Sequence, residues 1–79
     1  MEMLNTNLKL VKLLNEWDPF RLGEGAYDVE IADTIHAVHV LDGADQLARK
    51  IQAIYEFSFE EIIPLSKCKD MARQLLFIK

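Results

Sequence analysis

Trp17-Asp18-Pro19-Phe20-Arg21-Leu22-Gly23-Glu24-Gly25-Ala26-Tyr27-Asp28 is the stretch that decides the fold. It holds the only Trp, one of two prolines and two of three glycines of a 79-residue chain. Pro19 disfavours helical backbone at Asp18, so the helix before it must stop by about Trp17. Trp17, Phe20 and Tyr27 are too apolar to extend into water. Trp17, Asp18, Pro19, Phe20 and Tyr27 are therefore expected to form a structural loop packed back onto the helices that flank it. Gly23-Glu24-Gly25 reads as a turn. A phosphate loop would need a Lys and a Ser or Thr after the glycines, and a strand before them.

On both sides of this loop the apolar residues recur at helical spacing. Before it, a helix is expected over about Leu4 to Glu16, with Met3, Leu10, Leu13, Leu14 and Trp17 on one face and Lys9, Lys12 and Glu16 on the other. After it, Asp28 is a good N-cap for a second helix reaching about Leu41, with Tyr27 and Ala32 placed for a hydrophobic staple. That helix carries two apolar stripes. Ile31, Ile35 and Val38 form the main one; Val29, His36 and Val40 form another, which must contact a second neighbour, within the monomer or across a dimer.

Asp42-Gly43 ends the second helix and one of the two caps a third, reaching about Phe57 with Leu47, Ile51, Ile54 and Tyr55 inward. Asp45 suits the positive end of that helix. Ser58 and Glu61 have capping-box spacing, which predicts a short helix from Phe59 to Ile63; the alternative is one helix through Ile63 with a bend at Ser58. Ser66 then caps a last helix over about Lys67 to Ile78, with Cys68, Met71, Ala72, Leu75 and Ile78 inward. The expected architecture is all-α: residues 1–79 as a single helical domain, a compact antiparallel bundle of three to four helices plus a short extra helix.

The net charge is −4 and unevenly spread. Glu24, Asp28, Glu30, Asp33, Asp42 and Asp45 fall between Leu22 and Ala48 without a Lys or Arg among them, whereas bases outnumber acids from Leu47 onward. This suits a solvated acidic face or a docking surface for a basic protein, including the basic half of a second copy. The candidate interaction surface is Glu24, Asp28, Glu30, Asp33, His36 and Val40. No basic stripe exists to neutralise phosphates, so nucleic acid is not an expected partner. No apolar run approaches a membrane span of ~20 residues, so a membrane is not one either. One cysteine cannot pair within the chain, and the first residues lack a signal-peptide layout; both fit the cytoplasm. A core of this size supplies only about 3–5 kcal/mol, which makes a homodimer a reasonable expectation.

Asp33, His36 and His39 are the nearest approach to a metal or acid–base site. Residues three apart on a helix are neighbours, but each step rotates by about 60°, carrying His39 toward the apolar stripe. Without ligands from elsewhere the row does not close a metal site, and no metal or cofactor is expected. Cys68 lies near a helix start, where thiolates are favoured, but its phase matches Met71 and Leu75, so it reads as a core residue. Ser58 and Ser66 read as caps. No catalytic residue is assigned.

Leu13-Leu-Asn-Glu-Trp17-Asp-Pro-Phe20, Gly23-Glu-Gly-Ala-Tyr27-Asp28 and Ile51-Gln-Ala-Ile-Tyr55-Glu-Phe-Ser-Phe59 together resemble the YugE-like family, small helical proteins of Bacillus and related bacteria filed as a domain of unknown function. The likeness spans about Leu13 to Ile78. It implies a compact helical cytoplasmic domain and brings no catalytic residues. The Trp-Asp-Pro element after a first helix is also similar to that of some toxin-immunity proteins. The expected role is a non-enzymatic protein-binding or self-associating domain. The alternatives are an immunity or antitoxin-like protein using the acidic surface, and a metal-dependent enzyme centred on Asp33, His36 and His39.

Overall fold

The computed structural model describes the backbone of residues 2–79 and side chains from Asn5 onward; the expected inward position of Met3 lies outside the described side chains. Four helices follow one another: α1 (Glu2–Trp17), α2 (Asp28–Val40), α3 (Ala44–Phe59) and α4 (Leu65–Ile78). No strand occurs among the described residues. Each helix packs chiefly on two neighbours, α1 on α2, α2 on α3, α3 on α4 and α4 back on α1. The Cα positions span only 16 Å in their thinnest direction. So thin a bundle leaves each helix a face with no helix against it.

The inward residues follow the helical period. Leu10 and Leu14 of α1, Ile31 and Val38 of α2, Leu47, Ile51 and Tyr55 of α3, and Cys68, Met71, Ala72 and Leu75 of α4 make one core. Ile35, Ile54, Leu13 and Ile78 are partly buried against it. Burying a side chain such as Leu10 or Ile51 stabilises by about 1.5–3 kcal/mol relative to exposure, which must offset the ordering entropy of the chain.

The helix ends depart from the sequence reading. Tyr27, not Asp28, occupies the N-cap of α2, at φ −117° and ψ 23° and without a side-chain cap. Tyr27 is fully buried, and the loop it anchors delivers the chain already turned into the helix. Asp28 is the first helical residue, where its charge still suits the helix dipole. Ala32 is exposed, so no staple forms with Tyr27. Gly43 is the N-cap of α3.

There is no short helix over 59–63 and no capping box at Ser58. α3 runs on through Ser58 to Phe59, whose ring the core claims, and stops where Glu60 turns left-handed at φ 56°. Residues 60–64 are non-helical, as Pro64 requires of Ile63. Gln52 Nε2 donates to the Ile63 carbonyl at 2.8 Å and pins this connection. Pro64, not Ser66, precedes α4 as its N-cap, and Ser66 is an exposed first-turn residue.

Candidate interaction surface

The 17–28 loop folds inward, and its aromatic rings join two from α3. Trp17 meets Tyr55 edge-on at a centroid distance of 5.4 Å. Phe20 lies 5.1 Å from Phe59, and Tyr27 lies 5.8 Å from Tyr55 and 5.5 Å from Phe59. These separations are within the range of favourable aromatic pairs. Asp18 organises the turn at φ 38°, a conformation uncommon outside glycine. Its carboxylate accepts from the Tyr27 hydroxyl at 2.6 Å, from Leu22 N–H at 2.8 Å and from Gly23 N–H at 3.1 Å. Phe20 N–H in turn donates to the Tyr27 hydroxyl at 3.0 Å. The Tyr27 hydrogen bond, reinforced by those two backbone N–H groups, holds the Asp18 carboxyl below its ordinary range. Desolvation, then the hydrogen bond to Asp18, raises the Tyr27 phenol.

Gly23 and Gly25 both adopt positive φ, 92° and 89°, so the turn uses the freedom that only glycine has at no steric cost. With no Lys and no Ser or Thr directly after the glycines, as a phosphate loop needs, this is a folding device.

Of the six residues of the candidate interaction surface, five are exposed and one is buried. Glu24, Asp28, Asp33, His36 and Val40 are exposed, whereas Glu30 is only 7% exposed. Glu30 and Thr34, one turn apart on α2, face Tyr55 of α3. The Thr34 and Tyr55 hydroxyls lie together there without completing a hydrogen bond. Burial, with the Glu30 carboxylate nearby as the second cause, raises the Tyr55 phenol well above its ordinary value. The acidic stretch is also partly answered within the chain. Asp42 meets Lys79 at 3.0 Å and Asp45 meets Lys69 at 3.6 Å, so α4 and the residue that follows it supply bases to the α2–α3 corner.

The Asp33–His36–His39 row stays on the outside. His39 does not rotate into the core; it is exposed and shares a 2.8 Å hydrogen bond with Asn7 Oδ1 of α1. Among the described residues no three His, Cys, Asp or Glu side chains converge as a metal site would require. Cys68 is fully buried, its S–H directed at the Ile63 carbonyl at 3.9 Å, and burial pushes its thiol up to about 11. That is the opposite of an activated nucleophile.

Sequence reasoning passed over the two most exposed aromatic residues. Phe57 is 90% exposed and Phe77 is 91% exposed. Their signal was phase: Phe57 is off the Leu47–Ile51–Tyr55 face, and Phe77 is off the Cys68–Leu75 face. Each borders a surface cleft. Phe57 lines one of about 210 Å³ with Asp33 of α2 and Lys50, Ala53, Ile54 and Ser58 of α3. Phe77 lines one of about 350 Å³ with Leu13 of α1 and Arg73, Gln74 and Ile78 of α4. A larger, more polar cavity of about 530 Å³ lies between the 17–21 and 61–67 segments, with Arg21, Glu61 and Lys67 on its walls. The second stripe of α2 is uncovered as well, Val29 and Val40 both being largely exposed. Four helices are not enough to cover it.

What the fold and its surfaces define is a small four-helix domain with an aromatic-locked first connection and apolar residues left on its outer faces. The chain belongs to the family described as a domain of unknown function (DUF1871), whose model matches residues 9–79. It is 42% identical to the uncharacterized protein YugE of Bacillus subtilis (strain 168) over 79 residues, covering all of this chain and 92% of that protein. Its fold is similar to the crystal structure of APC36109 from Bacillus stearothermophilus, with a TM-score of 0.91 and 46% identity over 94% of this chain and 91% of that one. The YugE-like resemblance and the all-α bundle therefore stand. Among the described residues no helix is long and apolar enough to cross a membrane.

Proposed function

We propose that this domain is a non-enzymatic protein-binding module that works through its uncovered helical faces. One observation carries the reading. Trp17, Phe20, Tyr27, Tyr55 and Phe59 close into one cluster, while Phe57 and Phe77 are left in solvent at the rims of clefts. Exposed apolar surface beside a cleft marks interaction sites on small soluble domains. Phe57 and Phe77 have no packing role within the chain, and burying one in a partner gains about 1.5–3 kcal/mol. The reduced, buried Cys68 fits a cytoplasmic setting. The metal-enzyme reading loses its motive with His36 and His39 on the outside and His39 engaged by Asn7.

The test is photo-crosslinking in cells that express the protein natively. A benzophenone side chain is placed at position 57 or 77, with the exposed Arg49 position as the control. A light-dependent adduct of discrete mass at 57 or 77, absent at 49, is the expected result. The reading fails if neither position gives an adduct.

A further inference from the structure

We infer that the cleft between α2 and α3 docks a second copy of this chain about a two-fold axis running along the groove, with Asp33 of each copy facing Lys50 of the other. The inference rests on the proposed binding role and names its partner.

The charges select this occupant. Asp33 stands on the α2 wall of the cleft and Lys50 on the α3 wall. Both are exposed, and neither has an ion-pair partner among the described residues, unlike Asp42 and Asp45. A purely basic partner would meet Lys50, and a purely acidic one would meet Asp33. A surface with one charge of each sign on opposite walls is complementary to itself, as an isologous contact requires.

The same two residues choose the axis. α2 and α3 are joined by the short 41–43 connection, and Asp33 of α2 lines the same small cleft as Lys50, Phe57 and Ser58 of α3. Asp33 and Lys50 therefore stand at similar heights. An axis along the groove carries α3 of one copy over α2 of the other and joins Asp33 to Lys50 twice. An axis across the groove stacks each helix on its own copy and drives Asp33 toward Asp33. In the favoured arrangement Phe57, which lines the cleft with Asp33, comes over α2 of the other copy near Val29, about one turn before Asp33. Two exposed apolar side chains are then covered in each copy. His36 and Val40 continue the α2 side of the face.

The face is small. Two helices of roughly 20 Å length, packed about 10 Å apart, offer an area at or below the low end of standard interfaces. The dimer is therefore a weak one, with a dissociation constant of order micromolar or above.

Charge reversal tests the arrangement. Asp33→Lys leaves two lysines on each cleft, and Lys50→Asp leaves two aspartates. Both sites are exposed, and circular dichroism checks that each variant folds. Sedimentation at low salt should show each variant self-associating about ten-fold more weakly than the parent chain. An equimolar mixture should recover the parent affinity, because the heterodimer restores both attractive pairs. Phe57→Ala should weaken the parent and the mixture alike. A parent dimer with a mixture no stronger than the separate variants overturns this interface, while the binding role survives. A monomeric parent with cross-linked adducts to another protein at position 57 overturns the second copy as occupant and again spares the binding role. A monomeric parent with no adducts at 57 or 77 overturns both.

Discussion

The Tyr27 hydroxyl donates to the Asp18 carboxylate at 2.6 Å, across nine residues of the loop that joins α1 to α2. The same hydroxyl accepts from Phe20 N–H at 3.0 Å. One phenol thus closes the turn from both sides while its ring sits in the core. Tyr27→Phe keeps the ring and deletes both bonds. It should cost about 1–3 kcal/mol, because a backbone donor loses its partner. Urea denaturation checks this.

The pH response of Asp18 follows from the same bond. The Tyr27 hydrogen bond is the largest cause of a carboxyl held below 3.8. A depressed folded value adds stability that is complete above about pH 4 and fades as pH falls through the folded value. An NMR titration of the Asp18 carboxyl carbon should give a midpoint below 3.8 in the parent chain. In Tyr27→Phe the midpoint should move up toward the ordinary range, and the acid limb of the stability curve should flatten.

Trp17 is half-buried and edge-on to Tyr55. Trp17→Ala should cost about 3 kcal/mol, the low end for such truncations because part of the ring already meets water. Chemical denaturation followed by circular dichroism gives the value. A loss under about 1 kcal/mol would mean that the ring does not anchor the loop.

Cys68 should behave as a core thiol. Its pKa is raised by burial from 9.0 to about 11, so the neutral thiol is the folded form, and its contribution to stability fades as pH rises from about 9 to 11. At pH 8 a thiol-selective disulfide reagent should label the folded chain slowly and the urea-unfolded chain at the rate of a free thiol.

Zinc should find no strong site. Asp33, His36 and His39 point outward in a rotating row, and His39 already shares its Nε2 with Asn7. Calorimetric titration should show no stoichiometric binding tighter than about 1 µM; a tight site would restore the metal-dependent reading.

The helices and the core were legible because their signal is periodic. Leu47, Ile51 and Tyr55, or Cys68, Met71 and Leu75, declare a face by spacing alone. The ends were less so. Capping rules favoured Asp28 and Ser66 by side chain, but Tyr27 and Pro64 hold those positions, because an anchored loop or a fixed φ presents the helix without a side-chain cap. Ser58 and Glu61 matched a capping box, yet the pull of the core on Phe59 kept α3 going. Glu30 belongs to the candidate interaction surface by its charge, yet it is buried. It shares the inner side of α2 with Thr34, and only the position of Tyr55 on α3 reveals this. Spacing marks Val29, His36 and Val40 as a second stripe, but the meeting of Asp33 with Lys50 and Phe57 at one cleft is a tertiary fact.

The central claim is that the outer α2–α3 face docks a second copy of the chain, and the most direct measurement is a backbone amide NMR series on the unmodified chain from about 10 µM to 1 mM. The account predicts concentration-dependent shifts or broadening at Val29, Asp33, Val40, Lys50, Ala53 and Phe57, with the Gly23–Gly25 turn unmoved. Spectra that superimpose over the whole range, or changes confined to other faces, would contradict it.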